Sequence, residues 1–369
     1  WQGNPQTSQT ITWQTLNKDE ARYLYYRAIN AKQWQKLEAK VENFDNEEGI
    51  IYINTITLNN LKSNTDYIYA IGNNNEILEE GNFKTANSKN PKFIIFGDSQ
   101  SINYNTWQKT LNNAYNANTN SDFFVNVGDL VDVGQRYGQW KMFLESSKDV
   151  IKRINFVPVV GNHETYVGDG TFSMPTYFTQ QLKVPPNGPP ELQGQVYSFD
   201  YGQIHFVVLD SQFGEERQFV PTSLKIQKEW LQRDLANTDK PYKIVFLHRP
   251  PYHSSAGNNL DITAEFIPIF DLYKVNMVFS GHDHVVAKTY PLKENKYNSA
   301  GTTYFICGRS GTKTYNNKEQ KSYQEYFYNI TDQPTYFIVE FVNNAFVVKA
   351  FKQDGTMIQE NVINVNNGK

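Results

Sequence analysis

Five short apolar runs, each stopping at a side chain able to bind a metal, constrain this chain more than any other feature. KFIIF at 92–96 runs into Gly97-Asp98, and FFVNV at 123–127 into Gly128-Asp129. FVPVV at 156–160 runs into Gly161-Asn162-His163-Glu164, and KIVFL at 243–247 into His248. VNMVFS at 275–280 ends at Gly281-His282-Asp283-His284. Short runs rich in Val, Ile and Phe, most of them bounded by Gly, read as buried strands. Carboxylate, carboxamide and imidazole are ligand types for Zn, Mn or Fe. In open α/β sheets, sites form in the crevice beyond the carboxyl ends of strands. Residues two apart in extended chain point the same way, so His282 and His284 are expected to aim both imidazoles at one point.

The rest of the chain supports a large folded protein. With 369 residues it has room for about two domains and an ample core. Aromatics make up 15%, which argues against disorder. The net charge of −3 advertises no nucleic-acid or anionic-membrane partner. No apolar stretch approaches the ~20 residues of a transmembrane helix. Cys307 stands alone within TTYFICG, so it reads as a buried strand residue without an intrachain disulfide. The chain begins at Trp1 rather than Met. A trimmed leader is therefore expected, with an extracellular or cell-surface location.

Residues 1–86 are expected to form an all-β sandwich. QTITWQT at 9–15 alternates, and ARYLYYRAI, GIIYINTITL and DYIYAIG are β-branched and aromatic between turn-like clusters. Trp13 reads as core and Trp34 as a sheet-edge residue. NSKNP at 87–91 makes a linker. Residues 92–369 then alternate strands with helical stripes, which predicts a mixed sheet arrangement flanked by helices. Trp107, Leu111 and Ala114 form one stripe, Trp140, Phe143 and Val150 a second, and Gln227, Trp230 and Leu231 a third. Hairpins are expected around Tyr201-Gly202 and Asn343-Asn344. His205 lies inside a strand, far from any strand end, and reads as a satisfied core histidine.

Taken together, Gly-Asp, Gly-Asp-x-x-Asp, Gly-Asn-His-Glu, a strand-end His and Gly-His-x-His resemble the calcineurin-like metallophosphoesterase superfamily. EWLQRDL at 229–235, KIVFLHRPPY at 243–252, VFSGHDHV at 278–285 and GTTYFICGRSGTK at 301–313 resemble its purple acid phosphatase branch. Leu61 to Tyr67 resembles a fibronectin type III corner with Tyr67 as the corner tyrosine. The resemblance implies a fibronectin-like domain ahead of a catalytic domain, and two divalent metal ions (Mn, Zn or Fe).

The resemblance also implies residue roles. Asp129 would bridge the metals, since a carboxylate can hold cations ~3.5–4 Å apart. Asp98 and His284 would hold the first metal, and Asn162, His248 and His282 the second. A hydroxide or water between the metals would attack phosphorus in line. His163 would protonate the leaving alkoxide, with Glu164 or Asp132 orienting it.

Two positions depart from the pattern. Gln100 stands where family members often carry a His, so it would ligate weakly or leave room for water. Asp132 stands where the purple branch carries the Tyr that binds ferric iron, so the protein should not be purple. Arg249, Tyr252, His253, Tyr166 and Arg309 lie close in sequence to site loops and are candidate substrate contacts, with a supporting or interdomain role the equal alternative for Arg249 and Arg309.

The expected function is hydrolysis of phosphate mono- or diesters. The alternatives are a catalytically weak, metal-stabilised extracellular binding protein and another enzyme on the same fold, such as a nuclease. Substrate and oligomeric state stay open.

Overall fold

The structure, a computed structural model, describes residues 1–255 and 260–365. Within them, seven strands come first: β1 (Gln9–Thr15), β2 (Tyr23–Ala28), β3 (Gln35–Glu38), β4 (Lys40–Asn46), β5 (Gly49–Leu58), β6 (Asp66–Gly72) and β7 (Ile77–Lys84). They form two antiparallel sheets, ordered β1-β5-β4 and β3-β2-β6-β7. Trp13, Ile56 and Leu58 of the first sheet pack on Leu24, Tyr26, Tyr67 and Phe83 of the second, so the expected sandwich forms. The Tyr67 hydroxyl accepts the backbone N–H of Lys62 at 2.9 Å. Trp34 is half exposed, with the Arg27 guanidinium 5.0 Å from its ring.

The remainder builds two larger sheets packed face to face. The first joins β8 (Phe93–Phe96), β9 (Phe123–Asn126) and β10 (Asn155–Pro158) in parallel; β20 (Thr335–Val342), β21 (Ala345–Lys352) and β22 (Met357–Asn364) complete it antiparallel. The second has the order β11 (Tyr197–Tyr201), β12 (Ile204–Val208), β13 (Tyr242–Phe246), β14 (Met277–Ser280), β18 (Thr303–Cys307), β15 (Val286–Thr289), β19 (Gln324–Tyr328). A two-stranded ribbon, Leu292–Lys293 with Lys296–Tyr297, stands apart as β16 and β17. Both expected hairpins form, and Asn343 and Asn344 take positive φ at the β20–β21 turn.

The apolar runs are continuous because both faces of their strands are buried. Phe93, Ile95 and Phe123 face the second sheet, where Phe206 meets Phe93 edge-on at 5.5 Å. Ile94, Phe96 and Phe124 face the helices Asn105–Ala117 and Tyr137–Ile151 through Trp107, Trp140 and Phe143. Helices Ser223–Asn237 and Leu260–Leu272 cover the outer face of the second sheet. Burying a Phe or Leu side chain stabilises by ~1.5–3 kcal/mol, so these layers hold the strand ends rigidly. Trp1 also packs in the inter-sheet core, 5.8 Å from Phe123. Phe44, Ile51 and Ile53 of the N-terminal β1-β5-β4 sheet dock beside Phe96 and Trp140.

The consequence for function is directional. In the first sheet β8, β9 and β10 are parallel, and in the second β12, β13, β14 and β18 are. Their carboxyl ends bring Asp98, Asp129 and Asn162 from one sheet against His248, His282 and His284 from the other.

Candidate metal centre and active site

The chain turns abruptly where each strand ends. Asp98, Asp129, His282 and His284 all have positive φ, between 39° and 67°. Non-Gly residues seldom adopt this region, and such residues cluster at sites where surrounding structure over-determines them. The adjacent glycines leave the space this needs. A Cβ on Gly128 would fall 2.5 Å from the His248 ring, and one on Gly281 would fall 2.5 Å from Asp98 Oδ2.

The sharp turns correct one expectation. His282 and His284 do not converge through strand alternation, because β14 ends at Ser280 and both histidines are left-handed. His282 Nδ1 instead lies 3.0 Å from Asn162 Oδ1 and 3.2 Å from His248 Nε2. His284 Nε2 lies 3.1 Å from Asp98 Oδ1. Two clusters result, Asp129-His248-His282 and Asp98-Asp129-His284, sharing Asp129.

The donor atoms in these clusters fit cations. His248 Nδ1 is 2.9 Å from the Val127 carbonyl, which only accepts, so this nitrogen carries the proton. Its Nε2 then faces Asn162 Oδ1 at 3.1 Å and Asp129 Oδ2 at 3.2 Å, lone pair against acceptor. The Asn162 amide is oriented by Nδ2, which donates to the Tyr166 hydroxyl at 2.7 Å. His284 Nδ1 donates to the Lys313 carbonyl at 2.8 Å, which leaves buried Nε2 without a hydrogen-bond partner. Gln100 donates from Nε2 to Asp129 Oδ2 at 3.2 Å, and its buried Oε1 is also unpartnered. Converging, unsatisfied acceptors in a buried site are what a bound cation satisfies. Without a metal, a proton would serve: burial opposes a charge on His248, yet Asp129 outweighs it and raises its pKa to about 9.

Groups outside the clusters hold this arrangement. The Asp283 carboxylate is fully buried and accepts from Ser254 N–H, from Ser255 Oγ at 2.7 Å and from Lys318 Nζ at 2.9 Å. This pins the loop carrying His282 and His284. His163 Nδ1 donates to the Asp132 carbonyl at 2.6 Å and lies 3.3 Å from Asp132 Oδ1. Its Nε2 lies 3.8 Å from Asp129 Oδ2 and 3.1 Å from Lys313 Nζ. Burial lowers its pKa, but Asp129 and Asp132 outweigh this and the net shift is upward. The Tyr166 ring packs against its ring at a tilt of 41°, with centroids 4.6 Å apart.

Not every expected contact comes to the centre. Glu164 accepts backbone N–H groups and does not touch the His163 ring. Arg249 is engaged by Gln212 Oε1 at 3.1 Å and Glu215 Oε1 at 2.5 Å. The Tyr252 hydroxyl donates to Asn295, and its ring packs on Tyr304 and Tyr323. Arg309 turns into its own loop, donating to the Gly311 carbonyl at 2.6 Å, and lines a separate depression with Lys109, Asp332 and Asp354. Local apolar packing and nearby acceptors satisfy these groups before the site can. The His253 carbonyl accepts from Tyr323 Oη at 2.5 Å. His205 is bonded on both nitrogens, to Asp200 and Asp234, at 2.7 Å each. Lys313 escaped the sequence reading; its signal was its place just beyond β18, a sixth strand end on the same edge.

Residues 91–286 match the model of the calcineurin-like phosphoesterase family. The chain belongs to that family. As a calcineurin-like phosphoesterase it carries a second match, residues 1–85, to the N-terminal domain of purple acid phosphatases. An uncharacterized protein of Mycobacterium tuberculosis is 28% identical over 66% of this chain and 52% of its own length. A purple acid phosphatase of Glycine max is 26% identical over 78% of this chain and 64% of its own length. The chain thus spans about half to two-thirds of these relatives. The solved structure of purple acid phosphatase PPD1 from yellow lupin superposes with a TM-score of 0.78, at 18% identity, over 96% of this chain and 72% of that one. This calcineurin-like phosphoesterase therefore shares the purple acid phosphatase fold. Among its described residues, no helix is long and apolar enough to cross a membrane.

Proposed function

We propose that the protein is a metal-dependent phosphoric ester hydrolase. The observation that carries this is the pair of buried Asp/His clusters joined by Asp129, with His163 beside their shared carboxylate. Asp98, Asp129 and His284 would hold one divalent ion, with Gln100 Oε1 as a weak fourth donor. Asp129, Asn162, His248 and His282 would hold the other. A bound metal pair lowers the pKa of water and neutralises charge on phosphoryl oxygens.

The chain's own residues do the rest. The Asp132 carbonyl takes the Nδ1 proton, so His163 would act as general acid from its imidazolium form, with the Nε2 proton directed at the leaving oxygen. Tyr166, whose hydroxyl accepts from Asn162 Nδ2, packs against that imidazole. Mn, Zn and Fe(II) all suit the mixed carboxylate and imidazole donors, and a Tyr for ferric iron is replaced by Asp132. Location outside the cell belongs to the same reading and is tested by fractionation.

Hydrolysis of p-nitrophenyl phosphate and bis-p-nitrophenyl phosphate with each metal tests the proposal. Turnover that needs added or retained metal is expected. Inactivity towards both esters with every metal would instead favour a metal-stabilised binding protein, a reading that the weak donor Gln100 supports.

A further inference from the structure

We propose that Lys313 is the residue that grips the substrate's phosphoryl group. The inference rests on the hydrolase reading and adds a residue to it.

Lys313 is built into the centre twice. Its carbonyl takes the Nδ1 proton of His284 at 2.8 Å, which fixes the backbone at one metal cluster. Its ammonium lies 3.1 Å from His163 Nε2, the atom 3.8 Å from Asp129 Oδ2. Since His163 Nδ1 already donates to the Asp132 carbonyl, Nε2 is the acceptor and the ammonium the donor. In the free protein the Nε2 lone pair is thus occupied by Lys313.

The remaining capacity of the ammonium points outward. It has three donors, and Asp132 Oδ1 at 3.9 Å is beyond hydrogen-bond reach. The side chain is 37% exposed, so an incoming anion can reach it. The other cations expected at the site are committed elsewhere: Arg249 to Glu215 and Gln212, Arg309 to its own loop. Lys318 is held by Asp283.

A phosphate monoester brings three acceptor oxygens and close to two negative charges. Esterifying a second oxygen removes one acceptor and one charge. Lys313 therefore has more to hold in a monoester than in a diester. The bland reading makes Lys313 a surface partner of Asp132, but a pair at 3.9 Å with half-exposed Asp132 contributes little.

The test is Lys313→Met, with Lys313→Arg as the charge-keeping partner, in the metal-loaded protein. Only the backbone of Lys313 touches His284, so metal content and thermal midpoint should match the parent. Kinetics on p-nitrophenyl phosphate and bis-p-nitrophenyl phosphate are read beside calorimetric titration with inorganic phosphate. Losing a charged hydrogen bond predicts a ~10–100-fold fall in monoester kcat/KM, mostly in KM. Phosphate affinity should weaken by a similar factor, and Arg should restore part of both. Diester turnover should change by no more than about threefold on the same scale. Equal losses on both esters, or unchanged phosphate affinity, would overturn the role of Lys313. Should the parent hydrolyse neither ester, the hydrolase reading fails, and phosphate titration alone then judges Lys313.

Discussion

Glu164 holds the backbone of Asp129 in its left-handed turn: Oε2 accepts the Asp129 N–H at 3.0 Å while Oε1 takes those of Leu130 and Val131. Oε2 also accepts from Gly161 at 2.6 Å, so one fully buried side chain ties two strand ends together. Burial and the Asp129 carboxylate push its pKa up to about 7, while the N–H donors pull the other way.

Glu164→Ala should therefore cost stability before it costs chemistry. It leaves several buried N–H groups unpaired, and a loss of ~2–4 kcal/mol is expected. Urea unfolding in the presence of a chelator isolates this from metal binding. A change below about 0.5 kcal/mol, the scale of an ordinary surface substitution, would show that water replaces the carboxylate fully.

Truncating His163 to Ala should keep the metals and slow turnover according to the leaving group. A general acid is worth ~10²–10⁴-fold, least for a good leaving group such as p-nitrophenolate. Comparing alkyl and aryl phosphates reads this directly. Equal losses for both would assign His163 another role.

Gln100→His addresses the Asp98-Asp129-His284 cluster. Gln100 sits within reach of Asp129, and its Oε1 is buried without a partner. Imidazole is a better donor than amide oxygen for Zn. Metal titration should show the more weakly bound equivalent tightening by about tenfold, equivalent to ~1.4 kcal/mol. Unchanged affinity would mean that position 100 does not face the ion.

His205 supplies a pH dependence remote from the centre. Burial opposes its charge, but Asp200 and Asp234 outweigh this and raise its pKa to about 9. The folded value thus exceeds the unfolded value of ~6.5. The stabilisation is complete below about pH 6.5 and lost as pH rises through about 9, a change on the order of 3 kcal/mol. His205→Gln should flatten the fall in urea midpoint across that range. An identical slope in parent and variant would place the proton elsewhere.

Much of the centre was legible because ligand chemistry and strand ends are both local properties. Val- and Phe-rich runs report burial on two faces, and an Asp or His after Gly reports where burial stops. The sandwich, the paired Asn turn and the satisfied His205 were legible for the same reason. Reach and direction were not. Period-two alternation sent His282 and His284 to one point, but left-handed turns after Ser280 part them between two clusters. Proximity in sequence offered Tyr252, Arg249 and Arg309 as substrate contacts, but each is satisfied by Asn295, Glu215 or its own loop.

The sequence by itself therefore determined which residues could ligate and on which strands they stand, since side-chain chemistry and two-faced burial are written residue by residue. Only the tertiary structure decided how they share Asp129, and that Glu164 rather than a loop neighbour braces it. It also decided that Lys313, distant in sequence from His163, donates to that imidazole. Those relationships depend on the packing of one sheet against the other, which sets distances between strand ends that no local pattern encodes.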